Sequence, residues 1–289
     1  MSNRVVVWRN GDFVAAETAV PATDRGWLIG EAVFETVLAE GGRPAFLDRH
    51  IERLNKGARA FDIEIPYTPS EIASAIAMVS AANGVDSRGV ARITLTRAGG
   101  ARGLAGSAAA APRLYVSVQP TDAPKPFMRM MIATRRRWSA ASTNAFKCAG
   151  SYAENILARA EAAVDGADEA VMLNESGRVA CVSSGNLFLI EAQRIRTPAS
   201  GEGALAGVVR GVVLEEARRL GIEAVEGPIE AEELVGAPLL LTNSIVGVVR
   251  GALETRMAET PNGLADALIK GYAVRLDREF RRGELTSGS

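Results

Sequence analysis

The sequence predicts an α/β (α+β) protein in two domains, on three observations. Short apolar or alternating runs of strand length recur along the chain, as in Arg92–Thr96 and Leu114–Val118. They are interleaved with longer runs of helical spacing, as in Leu47, Ile51, Leu54, Ala58 and Phe61. Three prolines within Pro120–Pro126 cannot sustain a helix or a central strand, which marks a linker. The chain has 289 residues, 47% hydrophobic and 23% charged, a globular balance with length enough for two modest domains. The expected division is a small N-terminal domain at 1–119, the linker at 120–126 and a larger C-terminal domain at 127–289.

Val5–Trp8 and Phe13–Val14 form the arms of a hairpin about Asn10-Gly11, a strong turn dipeptide. Val33–Ala39 is a strand followed by the Gly41-Gly42 turn, and the helix at 47–61 comes next. A second helix starts with Thr68 as N-cap, Pro69 at the first helical position and Glu71 completing a capping box, and Asn83-Gly84 ends it. Two strands, Arg92–Thr96 and Leu114–Val118, flank an Ala/Gly-rich loop at 98–112. Beyond the linker lies a strand at 128–134, then an irregular Ser/Thr/Asn/Ala segment at 139–146 that ends at Lys147. A helix follows, then an apolar strand at 170–173, a turn at Asn174–Gly177, two short strands ending in Asn186-Leu187-Phe188, and a helix at 208–220. The last helix repeats Leu264, Leu268, Tyr272, Leu276 and Phe280 at four-residue steps, so one face is buried.

Composition excludes several functions. A net charge of −1 gives no electrostatic reason to expect nucleic acid or an anionic membrane as partner. No apolar run approaches the ~20 residues that cross a bilayer. The start, MSNRVVVWRNGD, is not a signal peptide, so a cytoplasmic protein is expected. Cys148 and Cys181 make neither a disulfide framework nor a zinc site, and no metal is expected. His50 is the single histidine, which argues against Ser-His-Asp hydrolysis and multi-histidine metal centres. An enzyme of this composition moves protons with a lysine or a carboxylate, or takes its chemistry from a cofactor.

Lys147 is the residue of interest. A lone lysine is ordinarily a solvated surface group. One that forms a Schiff base must be partly desolvated so that its amine is neutral and nucleophilic. Phe146, Cys148, Ala149 and Gly150 supply such surroundings, as they would at any buried turn. The weight lies in the spacing of other residues. Asp24-Arg25-Gly26 precedes Gly30-Glu31-Ala32-Val33-Phe34-Glu35-Thr36, and His50-Ile51-Glu52-Arg53-Leu54 follows. Tyr152 stands five residues after Lys147, and Asn186-Leu187-Phe188 closes that region. Gly207-Val208-Val209-Arg210 and Thr242-Asn243-Ser244 come last. In this order the set resembles the motifs of the class-IV (fold-type IV) pyridoxal-phosphate enzymes: DRG…GDGVFET, HxxRL, the lysine region, the GITR phosphate turn and a second phosphate loop. That group contains branched-chain and D-amino-acid aminotransferases, some amine transaminases and aminodeoxychorismate lyase.

The resemblance implies a two-domain fold with a mixed, β-barrel-like sheet in the large domain, and pyridoxal 5'-phosphate as cofactor on Lys147. It implies a homodimer that completes the substrate pocket, with the cofactor between the domains. Arg53, which lies off the apolar stripe of its helix and reads otherwise as a solvated group, becomes the phosphate clamp, a task that suits a guanidinium. Val208 and Val209 open a helix whose N–H groups bind anions, and Asn243 and Ser244 form the second phosphate loop. Val209 replaces the family threonine, which keeps the backbone donors and loses a hydroxyl. Tyr152 is implied as a hydrogen-bond partner of the cofactor's phenolic oxygen. Cys181 departs from the pattern, because it stands where the family carries the glutamate that keeps the pyridine nitrogen protonated. A neutral thiol is a weak donor and holds that proton poorly.

The substrates implied are an amino donor and a 2-oxo acid. Phe34, Arg97 and Arg102 are the expected substrate residues, with the two arginines for a carboxylate; solvated loop arginines are the plainer reading. Strict D-amino-acid activity is disfavoured, since Phe34 replaces the tyrosine of that group's VYE motif and the loop lacks a histidine. The GGARGL and TNSIVGV stretches look more like aminodeoxychorismate lyases. Aromatisation drives the lyase reaction and leans less on a protonated ring, which makes Cys181 easier to understand. The expectation is an aminotransferase, with the lyase and a binding protein of little turnover as alternatives.

Overall fold

The computed structural model describes residues 5–99, 103–104, 111–253 and 262–285. The chain folds into two compact units. One comprises Met1–Ala123, Phe146–Ser151 and Leu276–Ser289, and the other Pro124–Ala145 and Tyr152–Arg275. The Lys147 segment is thus part of the first unit.

The first unit is built on a six-stranded sheet in the order β2-β1-β6-β5-β3-β4. The strands are β1 (Val6–Arg9), β2 (Asp12–Ala15), β3 (Ala32–Glu40), β4 (Arg43–Pro44), β5 (Arg88–Thr96) and β6 (Arg113–Pro120). Asn10 and Gly11 both take positive φ, +48° and +102°, as a two-residue turn with right-handed strand twist requires. β3 pairs β5 antiparallel from Ala32↔Thr96 to Glu40↔Arg88, which fixes which side of β3 faces the core. Two helices, α2 (Leu47–Ala60) and α3 (Pro69–Ala82), bury Ile51, Leu54, Ile72 and Ile76 against Val37, Ile93 and Leu95. The capping box of α3 is complete: Thr68 Oγ1 accepts from Glu71 N at 3.3 Å, and Glu71 Oε2 accepts from Thr68 N at 2.7 Å. A short helix, α1 (Arg25–Ile29), is capped by Asp24 and ended by Gly30 at φ +71°. Its five residues are too few to show a period, so sequence spacing does not reveal it.

The second unit carries an eight-stranded sheet in the order β12-β11-β10-β13-β14-β7-β8-β9. Its strands are β7 (Phe127–Arg137), β8 (Glu169–Asn174), β9 (Val179–Val182), β10 (Asn186–Ile190), β11 (Arg194–Pro198), β12 (Glu223–Gly227), β13 (Leu239–Asn243) and β14 (Gly247–Ala252). Three pairs, β11–β12, β14–β7 and β7–β8, are parallel and the rest antiparallel, so the sheet is mixed, as the resemblance implies. Helices α4 (Ala153–Val164) and α5 (Val208–Arg219) belong to this unit. The last helix, α6 (Gly263–Leu285), buries Leu268, Tyr272 and Phe280 and half-buries Leu264 and Leu276, the stripe read from the sequence. Strands β11–β14 have no separate sequence signal: Arg194 and Arg196 interrupt the first, and Asn243 and Gly247 break the apolar run that forms the last two. No helix of the described residues is long and apolar enough to cross a membrane.

Candidate active site

In the first unit the lysine segment is laid against β3. Phe34 N donates to the Lys147 carbonyl at 3.0 Å, and Val33 and Cys148 form an antiparallel bridge. Two glycines permit the approach. A Cβ on Gly30 would lie 2.8 Å from Gly150 Cα, and one on Gly57 would lie 2.8 Å from Val33 Cγ1 and 3.2 Å from Phe146 Cβ. Phe146 also packs edge-on to Phe61, with ring centroids 5.6 Å apart. Lys147 is half-buried, and its Nζ lies 4.6 Å from the centroid of the buried Phe34 ring. The guanidinium of Arg92, from β5, lies 3.2 Å from the same centroid.

Beside Phe34, Glu35 is fully buried and held from α2. Arg53 Nε and Nη2 donate to its two oxygens, each at 2.7 Å, and His50 Nδ1 lies 2.7 Å from Oε2. Burial alone would raise the Glu35 pKa, but the hydrogen bonds and charge of Arg53, with His50, take it down to about 2. Burial pushes the His50 pKa below its ordinary value, against the pull of Glu35, so the ring is neutral at pH 7 and Nδ1–H donates to the carboxylate. Arg53 is therefore not a solvated helix residue. Its side chain is 12% exposed and fixed at one edge.

The Arg97 side chain is held by protein groups: Nε donates to Glu31 Oε1 at 2.5 Å and Nη2 to the Phe61 carbonyl. Arg25 takes the other Glu31 oxygen and reaches the carbonyls of Gly103 and Leu104 at 2.9 and 3.3 Å. Arg102 lies outside the described residues.

In the second unit the N-terminus of α5 has Gly207 as N-cap, with no side-chain cap and no acid in the first turn. Val208 and Val209 are buried there. Asn186 pairs with Thr242 across β10 and β13, and its Oδ1 stands 2.0 Å from where a Gly207 Cβ would be. Asn186 thus links the two elements, its backbone pairing with the end of β13 and its side chain lying against the start of α5. Asn243 Oδ1 accepts from Ile245 N and Val246 N at 2.9 and 2.8 Å, which closes the turn that carries Ser244. Thr242 Oγ1 is buried with no hydrogen-bond partner among the described residues. Tyr152 is half-buried at the N-cap of α4.

Cys181 on β9, opposite Met172, is buried. Burial pushes its thiol pKa up to about 11; Arg137 pulls it down and Glu169 adds to the rise. The thiol is neutral at pH 7. Glu169 is itself buried and accepts from Ala170 N at 2.8 Å and from the hydroxyls of Ser183 and Ser184. Ser184 in turn accepts from Asn243 Nδ2 at 3.3 Å.

Taken unit by unit, these groups are of the kinds that the parts of a phosphate ester of an aromatic aldehyde would need. The uncapped start of α5 and the unsatisfied Thr242 hydroxyl suit a dianion, and the half-buried Lys147 amine suits attachment to a carbonyl carbon. Cys181 does not fit as the partner of a protonated ring nitrogen, because it carries no charge.

Glu35, His50, Arg92 and Glu169 are missing from the sequence-derived site. One signal was available. Val33, Glu35 and Val37 share a face of β3 by strand alternation, and an acid on an apolar face needs partners. The positions of Arg92 and Glu169 follow from pairings distant in the chain, which local pattern does not carry.

The sequence model of the class IV amino-transferases matches residues 32–252, and the chain belongs to that family. A branched-chain-amino-acid aminotransferase of Pseudomonas aeruginosa is 29% identical over 240 residues, 79% of this chain and 78% of that one. An aminodeoxychorismate lyase of Bacillus subtilis is 29% identical over 252 residues, 84% and 85% of the two chains. Among solved structures, a T.th. branched-chain amino acid aminotransferase complexed with N-(5'-phosphopyridoxyl)-L-glutamate superposes with a TM-score of 0.84 at 25% identity, covering 96% of this chain and 97% of that one. The branched-chain aminotransferase of Thermoproteus uzoniensis with norvaline shares the fold at a TM-score of 0.85 and 24% identity, covering 96% and 98%.

Proposed function

We propose that this chain is a pyridoxal-phosphate-dependent aminotransferase, moving an amino group between an amino acid or primary amine and a 2-oxo acid, with Lys147 as the attachment amine. The observation that carries the reading is the placement of Lys147: half-buried, its backbone pinned to β3, its amine beside the Phe34 ring. Family membership and the aminotransferase relatives support it. Arg53, the N–H groups of Val208 and Val209, Asn243 and Ser244 take the phosphate, and Tyr152 takes the phenolic oxygen. The bound cofactor supplies an electron-withdrawing ring that accepts the electron pair left at the substrate Cα.

Lys147 moves the proton. With a substrate amine bound in its place, the freed Nζ would take the proton from the substrate Cα and would be the group that returns it. For this the amine must be neutral. Phe34 shields the amine from water and forms one wall for the substrate. Arg97, held by Glu31 and Phe61, and Arg102 remain the proposed carboxylate residues; for Arg97 that role needs exchange of one of these partners.

Cys181 favours a second reading, aminodeoxychorismate lyase, which releases pyruvate and 4-aminobenzoate. A neutral thiol suits a reaction that aromatisation drives. Incubation with aminodeoxychorismate, and separately with amino donors and 2-oxo acids, followed by product identification, separates the two. Amino-group exchange is the expected result; 4-aminobenzoate without exchange establishes the lyase. Borohydride treatment of the protein with pyridoxal phosphate is expected to fix the label on Lys147, and Lys147→Ala to abolish turnover. A label on another lysine, or full turnover by Lys147→Ala, overturns both readings.

A further inference from the structure

β3 carries an acid where its neighbours on the same face are apolar. Val33 and Val37 enter the core, and Glu35 stands between them, wholly buried. Such a carboxylate is retained only when paired and hydrogen-bonded. Arg53 grips it side-on through Nε and Nη2, each at 2.7 Å, and His50 Nδ1 lies 2.7 Å from Oε2. The guanidinium is planar and rigid, so fixing the Nε–Nη2 edge turns the Nη1 end away from the carboxylate. One residue earlier the same strand fixes the lysine, through Phe34 N to the Lys147 carbonyl at 3.0 Å and the Val33–Cys148 bridge. Three consecutive residues of β3 thus set both the backbone of Lys147 and the head of Arg53.

We propose that Glu35 is a positioning residue for phosphate recognition, orienting the Arg53 guanidinium so that its Nη1 end meets the cofactor's phosphate. This rests on the reading above, in which Arg53 binds that phosphate. Charge alone points the other way. A carboxylate near a phosphate repels it, so if orientation did not matter, removal of Glu35 would tighten binding. Against that, an arginine head without its anchor spreads over many rotamers, and binding must then order it. His50, neutral, steadies Oε2 without adding charge.

The test measures dissociation constants of the full chain for pyridoxal 5'-phosphate and for pyridoxal, which lacks the phosphate. Their ratio is the phosphate preference. Glu35→Gln keeps the volume but offers the fork one acceptor oxygen instead of two. It is expected to lower the phosphate preference about tenfold, the loss of one charge-assisted arm, with pyridoxal affinity unchanged. Arg53→Lys, which keeps the charge and cannot make the fork, is expected to do the same. In an Arg53→Ala background, Glu35→Gln is expected to change the preference no further. A preference that stays or rises in Glu35→Gln, or an equal weakening of both ligands, overturns the proposal and leaves Glu35 as a structural ion pair. If Arg53→Ala itself keeps the preference, the phosphate role of Arg53 fails and that of Glu35 falls with it. Should Glu35→Gln not fold, Arg53→Lys decides, since a wild-type preference there shows that orientation is irrelevant.

Discussion

Cys181 concentrates the question of chemistry at one residue. Its thiol is buried, with a pKa pushed up to about 11, and it carries no charge with which to hold a proton on a ring nitrogen. Cys181→Glu supplies that charge. In the aminotransferase reading it should speed the half-reaction with an amino donor by roughly tenfold or more, given the ~1.5–3 kcal/mol of a hydrogen bond to a charged group. Arg137 favours the new carboxylate and Glu169 opposes it, as their opposite effects on the thiol show. Half-reaction kinetics on the two proteins decide the matter. An equal or slower rate with intact cofactor binding means that the site is built around the thiol. A second residue-scale expectation concerns acid. Glu35 titrates at about 2 in the fold against 4.5 ordinarily, and such a depressed carboxyl stabilises the fold above the higher value. That stability, on the order of 3 kcal/mol at most, is lost as pH falls from about 4.5 towards 2. His50, also depressed, acts with the same sign from about 6.5 downwards. Urea unfolding from pH 7 to pH 3 should show a steeper loss in the wild type than in Glu35→Gln; parallel curves would refute the coupling.

Among the elements, those with a local signature were legible. The Asn10-Gly11 hairpin, the capping box of α3 and the four-residue stripe of α6 each state their geometry within a few residues, and the structure has all three. α1 is too short for a period, and β11 to β14 acquire their identity from partners far along the chain. The site divides the same way. Lys147 and Arg53 are singled out as candidates by the family motifs in the sequence, but the Glu35 fork and the Arg92 contact exist only once β3, β5 and α2 are assembled. Glycines in the motifs also acquire a reason at this scale. Gly30 combines φ +71° with a contact in which a Cβ would reach 2.8 Å from Gly150 Cα, so Gly30→Ala must push the lysine segment off β3. We expect a loss of about 1–3 kcal/mol in stability from backbone strain and displacement, together with weaker pyridoxal phosphate uptake. Gly84→Ala, at φ +67° with nothing within 4 Å of the new Cβ, is the control: it should cost stability through strain alone and leave uptake unchanged. Equal uptake by the two variants would remove Gly30 from any role at the lysine.

On the scale of the whole molecule, the chain does not run once through each unit. It leaves the first near Ala123, returns for Phe146–Ser151 and returns again from Leu276. A single proline-rich linker marks only the first passage, which is why a linear reading assigns Lys147 to the C-terminal half. Each unit also leaves large apolar side chains in water. Trp27, Leu28 and Ile29 of α1 are 73, 60 and 49% exposed, and Ile156 of α4 is 65% exposed. Three consecutive exposed apolar residues are uncommon on a monomer surface. With the homodimer that the family resemblance implies, we expect a particle of twice the 30.4 kDa chain mass. Light scattering after size exclusion measures this directly. Dilution supplies the functional half of the prediction: if a second copy completes the substrate pocket, specific activity should fall as the dimer dissociates, and added chain should restore it. A particle of one chain mass that keeps full specific activity at nanomolar concentration would show that a single chain holds the complete site.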